Sequence, residues 1–376
     1  MLKQYKLKNY PFALVFYLAA LTGLGIVVIG SAKASVQNKQ ILGFALGMII
    51  MIFLSFLDYS MLLNFSWLFY GGTVGLLLLV ELVGDSSHGS QRWIEIAGIK
   101  FQPSELAKIM VILFFAWFFM KYQEKINTFP TLMLTFLLAV IPMFLIFTQP
   151  DTSTTIVVIF IFAVLLYLAG LSYKIIVSVI AVCLPLGIAG IAYIVSNAET
   201  LIQDHYQVKR IMSLIDPTNP LYSDYATQQQ NSIMAIASGG LLGKGLGTDS
   251  ATSLKNSNYI IEPQTDLIFA VVGEELGFLG TAAVLLLLIL IVVECIRIGS
   301  KAKDLSGKLI CAGMASLISF QSFVNLCVAT GLMPTTGVTL PFVSYGLTSL
   351  VSMYIGMGFV LNVGLQQKKS KSGGFL

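Results

Sequence analysis

Ten apolar stretches dominate this chain, near residues 11–30, 41–57, 62–84, 104–120, 131–147, 155–170, 174–195, 266–296, 306–332 and 343–366. About 20 apolar residues in helical form cross a hydrocarbon core of ~30 Å. In lipid every backbone N–H and C=O must be satisfied internally, which selects helices for runs of this length. The expected fold is therefore all-α: a polytopic membrane protein of about ten transmembrane helices. Only 11% of the residues are charged, against about 25% in soluble domains. Little of the surface can therefore face water, and a single membrane domain over residues 1–376 is expected. The first run follows a basic stretch (Lys3, Lys6, Lys8) but is too long for the apolar region of a signal peptide. It is expected to be an uncleaved first helix.

Orientation follows from the placement of Lys and Arg in short loops. With the N-terminus inside, 13 of the 22 Lys and Arg fall on the cytoplasmic side, among them Lys121, Lys125, Arg297, Lys301 and Lys308. The short outer loops hold only Lys33, Lys39, Arg92 and Lys100. Both termini are thus expected in the cytoplasm, and the polar 196–265 loop, between the seventh and eighth stretches, outside. The net charge of +4 has no basic cluster on a soluble module behind it, so no nucleic-acid partner is expected. The four cysteines all lie in apolar segments, which argues against a disulfide framework.

The outer loop contains two apolar-periodic pieces, Val208–Ile215 and Gln228–Ala237, expected as short amphipathic helices on the membrane surface. Gly239-Gly240 and Gly243-Lys244-Gly245 carry turn chemistry. The lone histidines, His88 and His205, are expected to be loop residues rather than metal ligands.

Polar residues inside membrane segments are costly and usually functional. Four groups of them occur here. Glu105 and Lys108, after Arg92-Trp93 and Pro103, share one helix face at a spacing of three. A soluble helix would use such a pair for its own electrostatics. In a bilayer, Lys108 must face protein or a wet cavity. Asp151, in Gln149-Pro150-Asp151, is placed to N-cap the sixth helix. Asp266 stands where the polar loop meets the eighth stretch, as a cap or as a carboxylate whose partial burial suits a general base. Glu274 and Glu275 follow at a deeper level and suggest a helix-packing network. The fourth group, Gly331 to Gly337 and Pro341-Phe342-Val343-Ser344-Tyr345-Gly346, is irregular backbone at membrane depth, implying a protein-lined or wet surface or a re-entrant turn. All four groups fall on the outer half, which points to one outward-facing site.

Several motifs recur in family order and resemble the SEDS family (shape, elongation, division and sporulation). They are Gln91-Arg92-Trp93, Phe101 to Lys108, Gln149-Pro150-Asp151, Arg210-Ile211 with Asp216-Pro217, Gly239 to Gly245, Glu262 to Asp266, Glu274 to Gly277 and Pro341 to Gly346. The chain differs from the family pattern at Thr152-Ser153-Thr154, Leu267 and Leu347. The resemblance implies a peptidoglycan glycosyltransferase that polymerises lipid II at the outer face of the bacterial cytoplasmic membrane, beside a class B penicillin-binding protein. It puts the essential acid on Asp266. Lipid pyrophosphate is a leaving group that needs no protonation, so one base suffices, and its charge calls for cations. The implied substrate-binding set is Arg92, Trp93, Glu105, Lys108, Arg210, Lys244, Glu262, Ser344 and Tyr345. Asp151 either holds a divalent metal, Mg2+ or Mn2+, or only caps its helix. A lipid II flippase would want acids and bases on the inner half too; a non-catalytic scaffold for the penicillin-binding protein would leave Asp266 dispensable.

Overall fold

A computed structural model describes residues 10–87, 90–96, 99–201, 206–247 and 262–367. His88, His205 and both charged tails lie outside these residues. Ten apolar helices are present among the described residues. Eight are long enough to cross a bilayer: α1 (Phe12–Ala32), α2 (Ala34–Ser55), α5 (Pro103–Lys121), α6 (Phe129–Thr148), α8 (Tyr173–Ser196), α12 (Ile268–Ser300), α13 (Leu305–Ala329) and α14 (Leu347–Leu365). The apolar helices α4 (Ser66–Val83) and α7 (Thr152–Leu168) are shorter. The polar region before α12 carries α9 (Ala198–Leu201), α10 (Tyr206–Ile215) and α11 (Ser223–Ser238), and a one-turn α3 (Tyr59–Leu63) follows α2. The protein is an all-α polytopic membrane protein with one addition. A small antiparallel meander, β1 (Asp85–Ser87), β2 (Ser90–Ile96) and β3 (Ile99–Phe101), links α4 to α5. Its seven-residue middle strand is too short to register as a hydropathy signal.

Local chemistry sets several helix ends. Pro103 opens α5, where its missing N–H would be unpaired in any case. Asp58, Asp151 and Asp304 cap α3, α7 and α13 by accepting from the backbone N–H groups of Ser60, Thr154 and Gly307.

The centre of the bundle is α5, α13 and α14, most of whose side chains are buried. Phe114, Phe115, Phe118 and Phe119 of α5 are fully buried and pack edge-to-face and offset. Between α2 and α14, two glycines let the backbones close up. A Cβ on Gly47 would lie 2.5 Å from the Tyr354 ring, and one on Gly358 would lie 2.8 Å from Leu54. At the other extreme, α8 has no buried residue. It is apolar all round, the pattern of a helix facing lipid on every side.

The long eighth stretch is not one straight rod. Gly277 has φ 63° and ψ −159°, which breaks α12 after its first nine residues. The loop 239–245 fits into this break. Lys244 and Gly245 donate backbone N–H groups to the carbonyls of Glu274 and Glu275, at 2.9 and 3.0 Å. Phe278 and Leu279 donate back to Gly240 and Leu241, at 2.8 and 3.2 Å. A Cβ on Gly243 would stand 2.1 Å from the Glu275 carbonyl, and one on Gly277 would stand 2.3 Å from the Gly243 nitrogen. The Gly-Gly-Leu-Leu-Gly-Lys-Gly and Glu-Glu-Leu-Gly motifs are thus two halves of one backbone clasp, and only glycine fits the junction. Lys244 Nζ completes it with a 2.8 Å ion pair to the buried Glu274, while Ser31 of α1 donates to Glu275.

Candidate active site

Four segments converge beside the start of α12. The first contact joins β2 to the α6–α7 turn. Arg92 Nε donates to the Gln149 carbonyl at 3.1 Å, its Nη2 donates to the Pro150 carbonyl, and its Nη1 lies 3.9 Å from Asp151 Oδ1. Asp151 also accepts from the Thr154 N–H at 3.2 Å, and from Gln102 and Ser104 at 3.3 Å each. Both its oxygens are therefore engaged by protein donors. Among the described residues no three His, Cys, Asp or Glu side chains gather as a metal site. Asp151 acts here as a helix cap and as an anchor for Arg92.

The second contact is on α5. Lys108 is buried, and its Nζ donates to Glu105 Oε1 at 2.9 Å and to Gln321 Oε1 at 3.1 Å. Gln321, from α13, donates in turn to the carbonyl and hydroxyl of Thr339, at 3.0 and 3.1 Å. A buried charge pair tolerates desolvation only with such added hydrogen bonds.

The third element is the turn that presents Asp266. It is fixed through its backbone: Ser344 Oγ donates to the Thr265 carbonyl at 2.7 Å, the Tyr345 N–H to Gln264 at 2.8 Å, and Asn325 Nδ2 to the Asp266 carbonyl at 2.8 Å. This leaves the half-buried Asp266 carboxyl to the cavity. Burial pushes its pKa up to about 6; Arg210 pulls it down and Glu262 pushes it up. Gly337, at φ 80°, closes the gap: a Cβ there would be 3.6 Å from Asp266 Oδ2 and 4.0 Å from Arg210 Nη1. Arg210 itself stands on α10 with its guanidinium 5.8 Å from the centre of the Tyr225 ring.

The resulting cavity has a volume of about 240 Å³. Its wall brings together Arg92, Trp93, Glu105, Lys108, Asp151, Arg210, Glu262, Asp266 and Tyr345. Two other residues expected to meet substrate are not on the wall. Lys244 is in the clasp with Glu274, and Ser344 braces the Asp266 turn from behind. Gln321 and Asn325, and the close approach of Gly337 to Asp266, emerge only from the structure. The first two are polar residues four apart in the apolar α13, a spacing that puts them on one face and could have drawn attention to them.

A charged cavity walled by membrane helices, with one raised carboxylate among three cations, defines a polytopic membrane enzyme. The model of the cell cycle protein family FtsW/RodA/SpoVE matches residues 9–369. A probable peptidoglycan glycosyltransferase FtsW of Geobacter sp. (strain M18) is 31% identical, covering 96% of this chain and 99% of the relative. Stage V sporulation protein E of Bacillus subtilis (strain 168) is 35% identical, covering 93% and 95%. Among solved structures, a chain of a peptidoglycan synthase complex coordinating polymerization and crosslinking aligns with TM-score 0.74 at 31% identity, covering 94% of this chain and 97% of that one. The rod shape determining protein RodA of Thermus thermophilus aligns with TM-score 0.69 at 29% identity, covering 96% and 98%. The chain belongs to the FtsW/RodA/SpoVE (SEDS) family. It is a multi-pass protein of the bacterial inner membrane with glycosyltransferase activity.

Proposed function

We propose that the protein polymerises lipid II into glycan strands at the outer face of the membrane, with Asp266 as general base. The observation that carries this reading is the Asp266 carboxyl, raised to about 6, on the same cavity wall as Arg92, Lys108 and Arg210. A sugar hydroxyl of one lipid II attacks the anomeric carbon of the donor chain. The new O–C bond forms as the bond to the lipid pyrophosphate oxygen breaks, and the hydroxyl proton passes to Asp266. Undecaprenyl pyrophosphate leaves as an anion that the three cations stabilise. Glu105 holds Lys108 in place. A single base fits this chemistry, because pyrophosphate, unlike the leaving alcohol of a glycosidase, leaves without an acid.

Both termini are assigned to the cytoplasm, so the cavity and the 196–265 region face outside, where the lipid-linked disaccharide is presented. A class B penicillin-binding protein is the expected partner; the solved synthase complex that this chain resembles supports the pairing. The test is polymerisation of labelled lipid II by the purified protein with its cognate penicillin-binding protein, wild type against Asp266→Ala. Glycan strands from wild type and none from an equally inserted, equally bound variant support the base. Equal strands from both remove Asp266 from the chemistry. Strands from neither favour a scaffold or a flippase.

A further inference from the structure

Asn325 stands one turn before the end of α13 and is fully buried. Its Nδ2 donates to two backbone carbonyls that belong to different walls of the cavity: Asp266 at 2.8 Å and Val338 at 2.7 Å. Both neighbours are acceptors, so the amide must present its NH2 group to them; no hydroxyl or aliphatic side chain could serve both. Val338 follows Gly337, the residue that closes on Asp266 Oδ2 and Arg210. One turn earlier on the same face, Gln321 makes the equivalent bridge from Lys108 to Thr339. The 337–339 segment is thereby sewn to Asp266 on one side and to a cation on the other. Asn325 Oδ1 has no partner among the described residues. That is a cost a buried amide carries only where its donors are needed.

We infer that Asn325 is the positioning residue of the proposed general base: it fixes the backbone of Asp266 against the 337–339 segment and so sets where the carboxyl meets the acceptor hydroxyl. Asn325 touches no reacting atom. Its effect passes through the placement of Asp266, so the inference rests on Asp266 being the base. A displacement of about 1 Å at a reacting group costs about 100-fold in rate.

The experiment compares Asn325→Leu, which keeps the volume and removes both donors, Asn325→Asp, which keeps the shape and opposes two carbonyls with an acid, and Asp266→Asn. All are purified in complex with the partner, and insertion and melting temperature are recorded beside lipid II polymerisation. The expected result for Asn325→Leu is a kcat lower by about 100-fold with KM within about twofold. The acid limb of its pH–rate profile should shift, because the carboxyl moves relative to the charges that act on it, Arg210, Glu262, Arg92 and Asp151. Asn325→Asp should behave alike. Where Leu lowers the folded yield, kcat and the pH midpoint are read on the folded fraction alone, which a purely structural role would leave at wild-type values. Wild-type kcat and midpoint per folded molecule in both variants overturn the inference. An active Asp266→Asn instead overturns the base reading itself, so the two failures are distinguishable.

Discussion

At the residue scale, the proposed role of Asp266 as base requires its carboxyl to be ionised. Below a pH of about 6 its carboxyl carries the proton it is meant to accept. Polymerisation should therefore fall on the acid side by about tenfold per pH unit below the midpoint and level off above it. A profile flat from pH 5 to 8, measured at saturating lipid II, would contradict that role. Gly337→Ala adds a methyl group 3.6 Å from Asp266 Oδ2 and forces alanine to φ 80°. The left-handed conformation costs about 1–2 kcal/mol, and we expect kcat to drop by about 10-fold or more in protein that still inserts. For Lys108, truncation to Ala would leave the buried Glu105 without its ion-pair partner, at a cost of about 3–5 kcal/mol. The double variant Glu105→Gln/Lys108→Met should recover most of the thermal stability and none of the activity. A double variant that polymerises normally would take Lys108 out of pyrophosphate stabilisation.

At the element scale, the clasp between loop 239–245 and the break in α12 fixes the polar region that carries Arg210. Gly277→Ala puts a Cβ 2.3 Å from the Gly243 nitrogen and 2.7 Å from the Leu241 carbonyl, in a backbone region open to glycine alone. The expected loss is at least about 2 kcal/mol, read as a lower melting temperature and faster proteolysis between residues 238 and 262. Unchanged melting and cleavage would mean that the clasp is dispensable. Helix α11 is docked separately. Gln229 donates to the carbonyls of Val328 and Met333, and Ser232 to Ala329, so the same region also rests on the end of α13.

At the scale of the whole molecule, ten apolar helices return the chain to the side on which it began if each crosses the membrane once. A cysteine at Thr218 in the polar region should react with a membrane-impermeant maleimide in intact spheroplasts. One at Gln123, in the α5–α6 connection, should react only after permeabilisation. The native cysteines are first replaced; Cys295, Cys311 and Cys327 are buried and Cys183 lies within α8. The reverse labelling pattern would invert the topology and place the cavity inside the cell.

The apolar runs alone determined the helical class and the ten apolar helices, nine of them to within about four residues and α2 starting seven residues before its run, because lipid leaves a backbone few other choices. The spacing of Glu105 and Lys108, and the position of Asp266 at a polar–apolar boundary, were readable because helix periodicity and capping are local. What touches what was decided by tertiary structure. Lys244 went to Glu274 and Asp151 to Arg92 and its own helix, since each charge is satisfied by whichever partner the packing brings near. Gly337, Gln321 and Asn325 gained their importance the same way. A buried amide acquires a role only when two distant carbonyls are delivered to its NH2 group, and hydrogen bonds of that kind, spanning 59 residues from Asn325 to Asp266, leave no periodic trace in a sequence.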